Sequence, residues 1–155
     1  MEFIEFLDPI EIEIVRIIKK AGYSTEENTA ICLLDEDFVG FLKQKQKIIV
    51  ICTDNAKKKE NYTLLRNLNT NAFERTARHI KKGLRHEAAH VAQECNNGNI
   101  LDIKQKLSMN PAKINALKGS IKISGEKEKE KEIQAYILED KPKSIKKKLE
   151  RYCLG

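Results

Sequence analysis

The sequence predicts an α+β fold: a small, mostly antiparallel sheet with a hairpin packed on one long helix, followed by further helices toward the C-terminus. Three observations predict it. Short runs rich in Ile, Val, Leu and Phe fall between residues 29 and 53, an apolar stripe at helical spacing runs from Phe73 to Cys95, and helical patterning returns after residue 126. The length of 155 residues suits one domain, taken as residues 1–155, and the hydrophobic fraction of 41% suits a packed core. With aromatics at 6% and no tryptophan, that core should be aliphatic.

In chain order, DPIEIEIVRIIKKA (8–21) opens with Asp8 and Pro9, a cap and first-turn pair. Ile12, Val15, Ile18 and Ala21 then give a helical seam, and Gly22 ends it. TAICLL (29–34), FVGFL (38–42) and KIIVICT (47–53) read as short strands, the last two joined as a hairpin across KQKQ. Residues 48–52 are apolar on both alternations, so that strand should be buried on both faces. FVGFL, short and interrupted by Gly40, reads as an edge strand, and TDNAKKKENY as a loop. From about Asn71 to Cys95, Phe73, Ala77, Ile80, Leu84, Ala88, Val91 and Cys95 recur in steps of three and four, and Asn96-Asn97-Gly98 supplies a left-handed stop. A short helix around ILDIKQKL, a break at Pro111, and INALKGSIKISG lead to a helix over 126–140, stopped by Lys141-Pro142. A basic helix or tail occupies about 141–155.

The net charge of +6 comes largely from KKKE at 57–60 and KPKSIKKKLER at 141–151. Such runs read as solvated faces, and without a nucleic-acid-binding motif a nucleic-acid partner is not expected. The four cysteines form no CxxC pair and read as buried free thiols. No apolar run is long enough to span a bilayer, and the acidic, mixed N-terminus is unlike a secretory signal, so a cytoplasmic location is expected.

All three histidines lie between residues 79 and 90, two of them in His86-Glu87-Ala88-Ala89-His90. On a helix, His86 and His90 lie one turn apart on a face roughly 140° from the stripe centred on Leu84, with Glu87 between. Two imidazoles at that spacing can reach one zinc ion, and the intervening carboxylate can polarise its water. His79 lies about two turns away, some 10 Å, too far to share the site. Gln93 and Asn96 stand where the longer HExxHxxGxxH pattern needs glycine and histidine. Glu94 reads as a surface carboxylate.

The third ligand is then a carboxylate from another element: Asp102, or one of Glu126, Glu128, Glu130 and Glu132. Glu132 stands out because the EK run gives way there to apolar Ile133, Ala135, Ile137 and Leu138, where packing begins. Ala135, one turn on, would let this helix approach closely. Like charges four residues apart weaken the isolated helix, a cost that zinc ligation would offset.

HEAAH followed by Glu132-Ile133-Gln134-Ala135 resembles the gluzincin metallopeptidases, in which a helix carries HExxH and a later helix supplies a glutamate ligand, often with alanine three residues on. In scale the chain resembles the small minigluzincins. The resemblance implies a zincin-like fold, zinc held by His86, His90 and Glu132, and a peptide or protein substrate laid along the FVGFL edge. It also implies peptide hydrolysis by a zinc-activated water with Glu87 as general base. Many relatives place Asp or Asn after that alanine, where this chain has Tyr136. Tyr136 is therefore read either as a site residue, bonding a ligand histidine or donating to a developing oxyanion, or as a packed aromatic. The alternative to an enzyme is a non-catalytic interaction module on the same scaffold, its basic tail binding an acidic partner.

Overall fold

The computed structural model describes residues 1–63, 71–103, 114, 115, 118 and 128–155. A 3-10 turn, Glu2–Phe6, leads into α1 (Pro9–Lys20) and β1 (Ser24–Glu27). A second 3-10 turn, Ala30–Leu33, precedes β2 (Gly40–Lys43), β3 (Ile48–Ile51) and α2 (Thr53–Lys59). Then come α3 (Ala72–Cys95), α4 (Lys129–Leu138) and α5 (Pro142–Leu149), and a π-helical turn, Glu150–Leu154. The architecture is mixed α+β with a small three-stranded sheet.

α1 begins where Asp8 and Pro9 predict it. The Glu11 carboxylate accepts the Asp8 backbone N–H at 3.1 Å and receives Arg85 of α3 at 3.3 Å, so a buried charge is paired while it caps the helix. The inner face is Ile14, Val15, Ile17 and Ile18. Ile12, expected in the seam, is 47% exposed, because the buried stripe is rotated toward Glu11.

The hairpin forms as expected, with Gly40 opposite Ile51 and Lys43 opposite Ile48. β3 is central and buried on both faces: Ile49 and Ile51 enter the main core, and Val50 joins Cys32 and Cys52 on the other side. β2 is an edge. The sheet is not mostly antiparallel, however. Its third strand is β1, parallel to β3, and the order is β1-β3-β2. Ser-Thr-Glu-Glu carries no apolar signal, since Thr25 is its only buried residue. TAICLL, expected as a strand, is instead the 3-10 turn, with Cys32 buried, Ile31 partly buried beside it, and Leu33 and Leu34 at 85% and 75% exposure. TDNAKKKENY is not a loop throughout. Its first part is α2, where Asn55 turns inward and donates from Nδ2 to the carbonyls of Cys32 and Phe38, each at 2.9 Å.

The cysteines are not free thiols. Cys32 pairs with Cys52 and Cys95 with Cys153, with Cα separations of 5.6 and 5.1 Å that suit a disulfide. The partners come from elements that only the fold brings together, so their spacing in the sequence carries no sign of the pairing. No helix among the described residues is long and apolar enough to cross a membrane.

α3 is the hub, in contact with α1, α2, α4, α5, β2 and β3. Ile80, Leu84, Ala88 and Val91 of the predicted stripe are fully buried, and Phe73 stacks on Phe6 with ring centroids 4.6 Å apart. Each fully buried aliphatic side chain of this size contributes roughly 1.5–3 kcal/mol. The helix stops as expected: Asn97 and Gly98 take φ of 59° and 75°, and Gly98 N–H returns to the Gln93 carbonyl at 2.9 Å. Ile100 to Ile103 form no regular element, and the rest of the helix expected around ILDIKQKL lies outside the described residues. So do Pro111 and most of INALKGSIKISG. α4 and α5 fall within the predicted helices and meet at Lys141-Pro142.

Candidate metal centre

α3 sets His86 and His90 one turn apart with ring centroids 5.0 Å apart. α4 crosses them, and its fully buried Ala135 lets it come close. Glu132 then reaches both imidazoles: Oε1 lies 2.7 Å from His90 Nε2 and Oε2 lies 3.4 Å from His86 Nε2. One ligand atom from each residue lies within 4.8 Å of the others. Ligands at about 2.0 Å from a tetrahedral zinc sit about 3.3 Å from one another. Two nitrogens and a carboxylate have the donor chemistry for such an ion; the 3.4 Å contact matches that spacing, and the 2.7 Å contact is a direct hydrogen-bond distance.

The other imidazole nitrogens are held from behind. His86 Nδ1 lies 3.1 Å from Glu139 Oε2, and His90 Nδ1 lies 2.8 Å from Gln93 Oε1. Such outer partners orient a metal-binding histidine and leave Nε2 facing the centre. The Tyr136 ring packs on His86 with centroids 4.5 Å apart.

Glu87 is buried, at 8% exposure, against the edge strand. A Cβ added at Gly40 of β2 would come within 3.1 Å of Glu87 Cγ. Burial pushes the Glu87 carboxyl up; His86 and His90 oppose this, and the carboxylates of Glu132 and Glu139 add to it. Burial alone would lower the His86 pKa, yet its bonds to Glu132 and Glu139 and the charge of Glu87 raise it to about 10. Burial disfavours the Glu132 carboxylate, but its two histidine partners outweigh that and hold its pKa well below the ordinary range.

Of the other carboxylates considered, Glu128 pairs with Lys131 at 3.2 Å, and Glu130 and Asp102 are exposed. Glu126 lies outside the described residues. His79 bonds Glu60 at 3.1 Å, away from the cluster. A surface hollow of about 690 Å³, lined by residues such as Asn28, Leu33, Asn55 and Tyr62, shares no residue with the cluster.

The site residues that sequence reasoning missed are Gln93, Gln134 and Glu139. Glu139 carried a signal, since it follows Glu132 by two helical turns and so shares its face. Gln93 follows His90 by three, also on one face. Gln134, a polar residue in a packed stretch, carried none.

Fold and site together define an α+β protein with a His-His-Glu cluster held between two helices. Residues 3–154 match the family model of a domain of unknown function, DUF8637, and the chain belongs to that family. No curated protein and no solved structure matches it.

Proposed function

We propose that the chain is a zinc-dependent metallopeptidase in which His86, His90 and Glu132 hold the metal and Glu87 is the general base. The observation that carries this reading is the meeting of Glu132, from α4, with the two Nε2 atoms of α3. Zinc bound there supplies a Lewis acid that polarises a peptide carbonyl and acidifies a water. The remaining work falls to side chains. Glu139 and Gln93 hold the imidazoles with Nε2 inward. Glu87, its pKa raised by burial, takes a proton from the attacking water and passes it to the leaving amine. Among the described residues β2 is an edge strand, and that edge would offer backbone groups to an extended peptide beside Glu87. Tyr136 either donates its hydroxyl to the developing oxyanion or only packs on His86. Loss of turnover in Tyr136→Phe with zinc retained assigns the hydroxyl.

A second reading, a non-catalytic module with structural zinc, is favoured by one feature. The His86, His90 and Glu132 side chains are only 12%, 13% and 14% exposed, and closed structural sites are covered in this way. Its partner would be an acidic surface that meets the basic helix α5.

The test is zinc content together with cleavage of a peptide library. Glu87→Gln should keep one zinc and lose hydrolysis, and unchanged hydrolysis in that variant refutes the mechanism. Glu132→Ala should lower zinc stoichiometry, and full retention removes Glu132 from the ligand set. A wild-type chain that holds zinc and cleaves nothing supports the second reading. A cytoplasmic location belongs with these proposals. The two disulfides weigh against it, because reducing compartments keep thiols apart, and thiol trapping in intact cells decides the matter.

A further inference from the structure

We propose that Gln93 and Gln134 form a relay of two buried amides through which the Leu101 backbone dictates which nitrogen of His90 faces the metal ligands. The inference rests on the metal reading above and adds positioning residues to it. Gln93 is 1% and Gln134 5% exposed, so every polar atom of the pair must find its partner within the protein.

The hydrogen-bond directions follow one from another. A backbone carbonyl only accepts and a backbone N–H only donates. Gln134 Nε2 lies 2.7 Å from the Leu101 carbonyl, and Gln134 Oε1 lies 2.8 Å from the Leu101 N–H. Those two contacts fix the Gln134 amide, which cannot be turned over without placing like groups together at both. Its Oε1 then accepts a second bond, from Gln93 Nε2 at 3.0 Å. Gln93 Nε2 spends its other hydrogen on the Lys131 carbonyl at 3.1 Å. Turning over Gln93 would set its oxygen against two acceptors, so Gln93 Oε1 must be the atom that faces His90. Being an acceptor, it requires the hydrogen of His90 on Nδ1, 2.8 Å away. Nε2 is left as the nitrogen turned to Glu132.

The relay also joins three pieces of chain. Gln93 belongs to α3, Gln134 and Lys131 to α4, and Leu101 to the segment after the Asn97-Gly98 turn. A change at Leu101 is thereby felt at a ligand histidine with no direct contact between the two.

The experiment uses the full chain. Zinc affinity is measured by competition with a chelator, and the histidine rings are read by long-range 1H–15N correlation with and without zinc. The wild type should show a protected Nδ1–H on His90 and zinc on Nε2. Gln134→Leu, which breaks the relay one residue away from the histidine, should lose that protection and weaken zinc binding roughly 10- to 100-fold. In Gln134→Glu a neutral carboxyl can replace the amide, one oxygen accepting from Gln93 and from the Leu101 N–H and the protonated one donating to the Leu101 carbonyl. Below the titration of that carboxyl both properties should therefore return to within a few-fold of wild type at the same pH, a rescue that loss of packing alone does not predict. Should Gln134→Leu fail to fold, Gln93→Leu gives the same two readouts. A protected Nδ1–H and undiminished affinity in the broken-relay variant overturn the proposal. If the wild type takes up no zinc, the metal reading fails separately. The Nδ1–H signal then decides the relay, its loss in Gln134→Leu supporting the proposal and its persistence overturning it.

Discussion

The approach of β2 to α3 depends on two glycines in contact, Gly40 and Gly83, and each can be filled with one methyl group. At Gly40 of β2 an added Cβ would lie 2.9 Å from the Gly83 carbonyl oxygen, 3.1 Å from the Gly83 carbonyl carbon and 3.1 Å from Glu87 Cγ. Two of those atoms are backbone of α3 and cannot yield locally, so β2 must move outward. Overpacking of this kind costs about 1–3 kcal/mol. At roughly 2–4 °C per kcal/mol for a chain of this size, Gly40→Ala should melt about 2–12 °C lower. At Gly83 the nearest atom is Val39 Cγ1 at 3.0 Å, a side chain, and the backbone neighbours lie at 3.4 Å. Replacing a glycine within a helix by alanine also returns about 1 kcal/mol. Gly83→Ala should therefore fall within about 1 kcal/mol of wild type, the propensity gain offsetting most of the crowding. Calorimetry on both variants gives the order directly. A Gly40→Ala chain that melts with the wild type, or a Gly83→Ala chain that melts as far below it as Gly40→Ala does, refutes this account of the interface. Because the Gly40 methyl also meets Glu87, turnover in that variant should fall while zinc stoichiometry holds.

Zinc binding should release protons: with the His86 pKa raised to about 10, the metal-free site is protonated at neutral pH, and the ion must displace that proton. Affinity should then rise with pH up to about 10 and fall as pH drops, and calorimetric titration in buffers of different ionisation enthalpy should show about one proton released at neutral pH. A buffer-independent enthalpy contradicts it. The disulfides should differ in worth, because loop closure depends on the chain they enclose. Their separations of 58 and 20 residues correspond to about 4 kcal/mol for Cys95 with Cys153 and about 3 kcal/mol for Cys32 with Cys52. Urea titration of the two double Cys→Ala variants should rank them in that order, and a reversed order speaks against the loop-closure account.

Much of this was legible in the residues because periodicity reports burial. The α3 stripe, its Asn-Asn-Gly stop, the hairpin and the Lys141-Pro142 break all have local causes, and all stand where local causes put them. His86, Glu87 and His90 were legible for the same reason, since their spacing on a helix suffices to bring them together. What escaped depends on partners distant in sequence. β1 is a strand because β3 offers an unpaired side, not because Ser-Thr-Glu-Glu favours one. TAICLL is apolar enough for a strand, but its shape follows from Cys32 reaching Cys52 and from Asn55 holding the Cys32 carbonyl. Gln134 escaped because a buried amide has no pattern of its own; its meaning lies in the donors and acceptors that surround it.

The placement of Glu132 follows from how little apolar surface α4 contributes. Its buried residues are Gln134, Ala135 and Leu138, so Leu138 is the only large apolar side chain it buries fully. The polar contacts of α4 to α3 converge on the His-His-Glu cluster and its surroundings: Glu132 to both histidines, Gln134 to Gln93, and Glu139, just past the helix end, to His86. A ligand at the cluster that binds only the docked helix stabilises it by about 2.7 kcal/mol when present at a hundredfold excess over its dissociation constant. That is about as much as burying Leu138. Docking of α4 and binding of an ion at the cluster are thus one coupled equilibrium, because Glu132 reaches His86 and His90 only when the helix is docked.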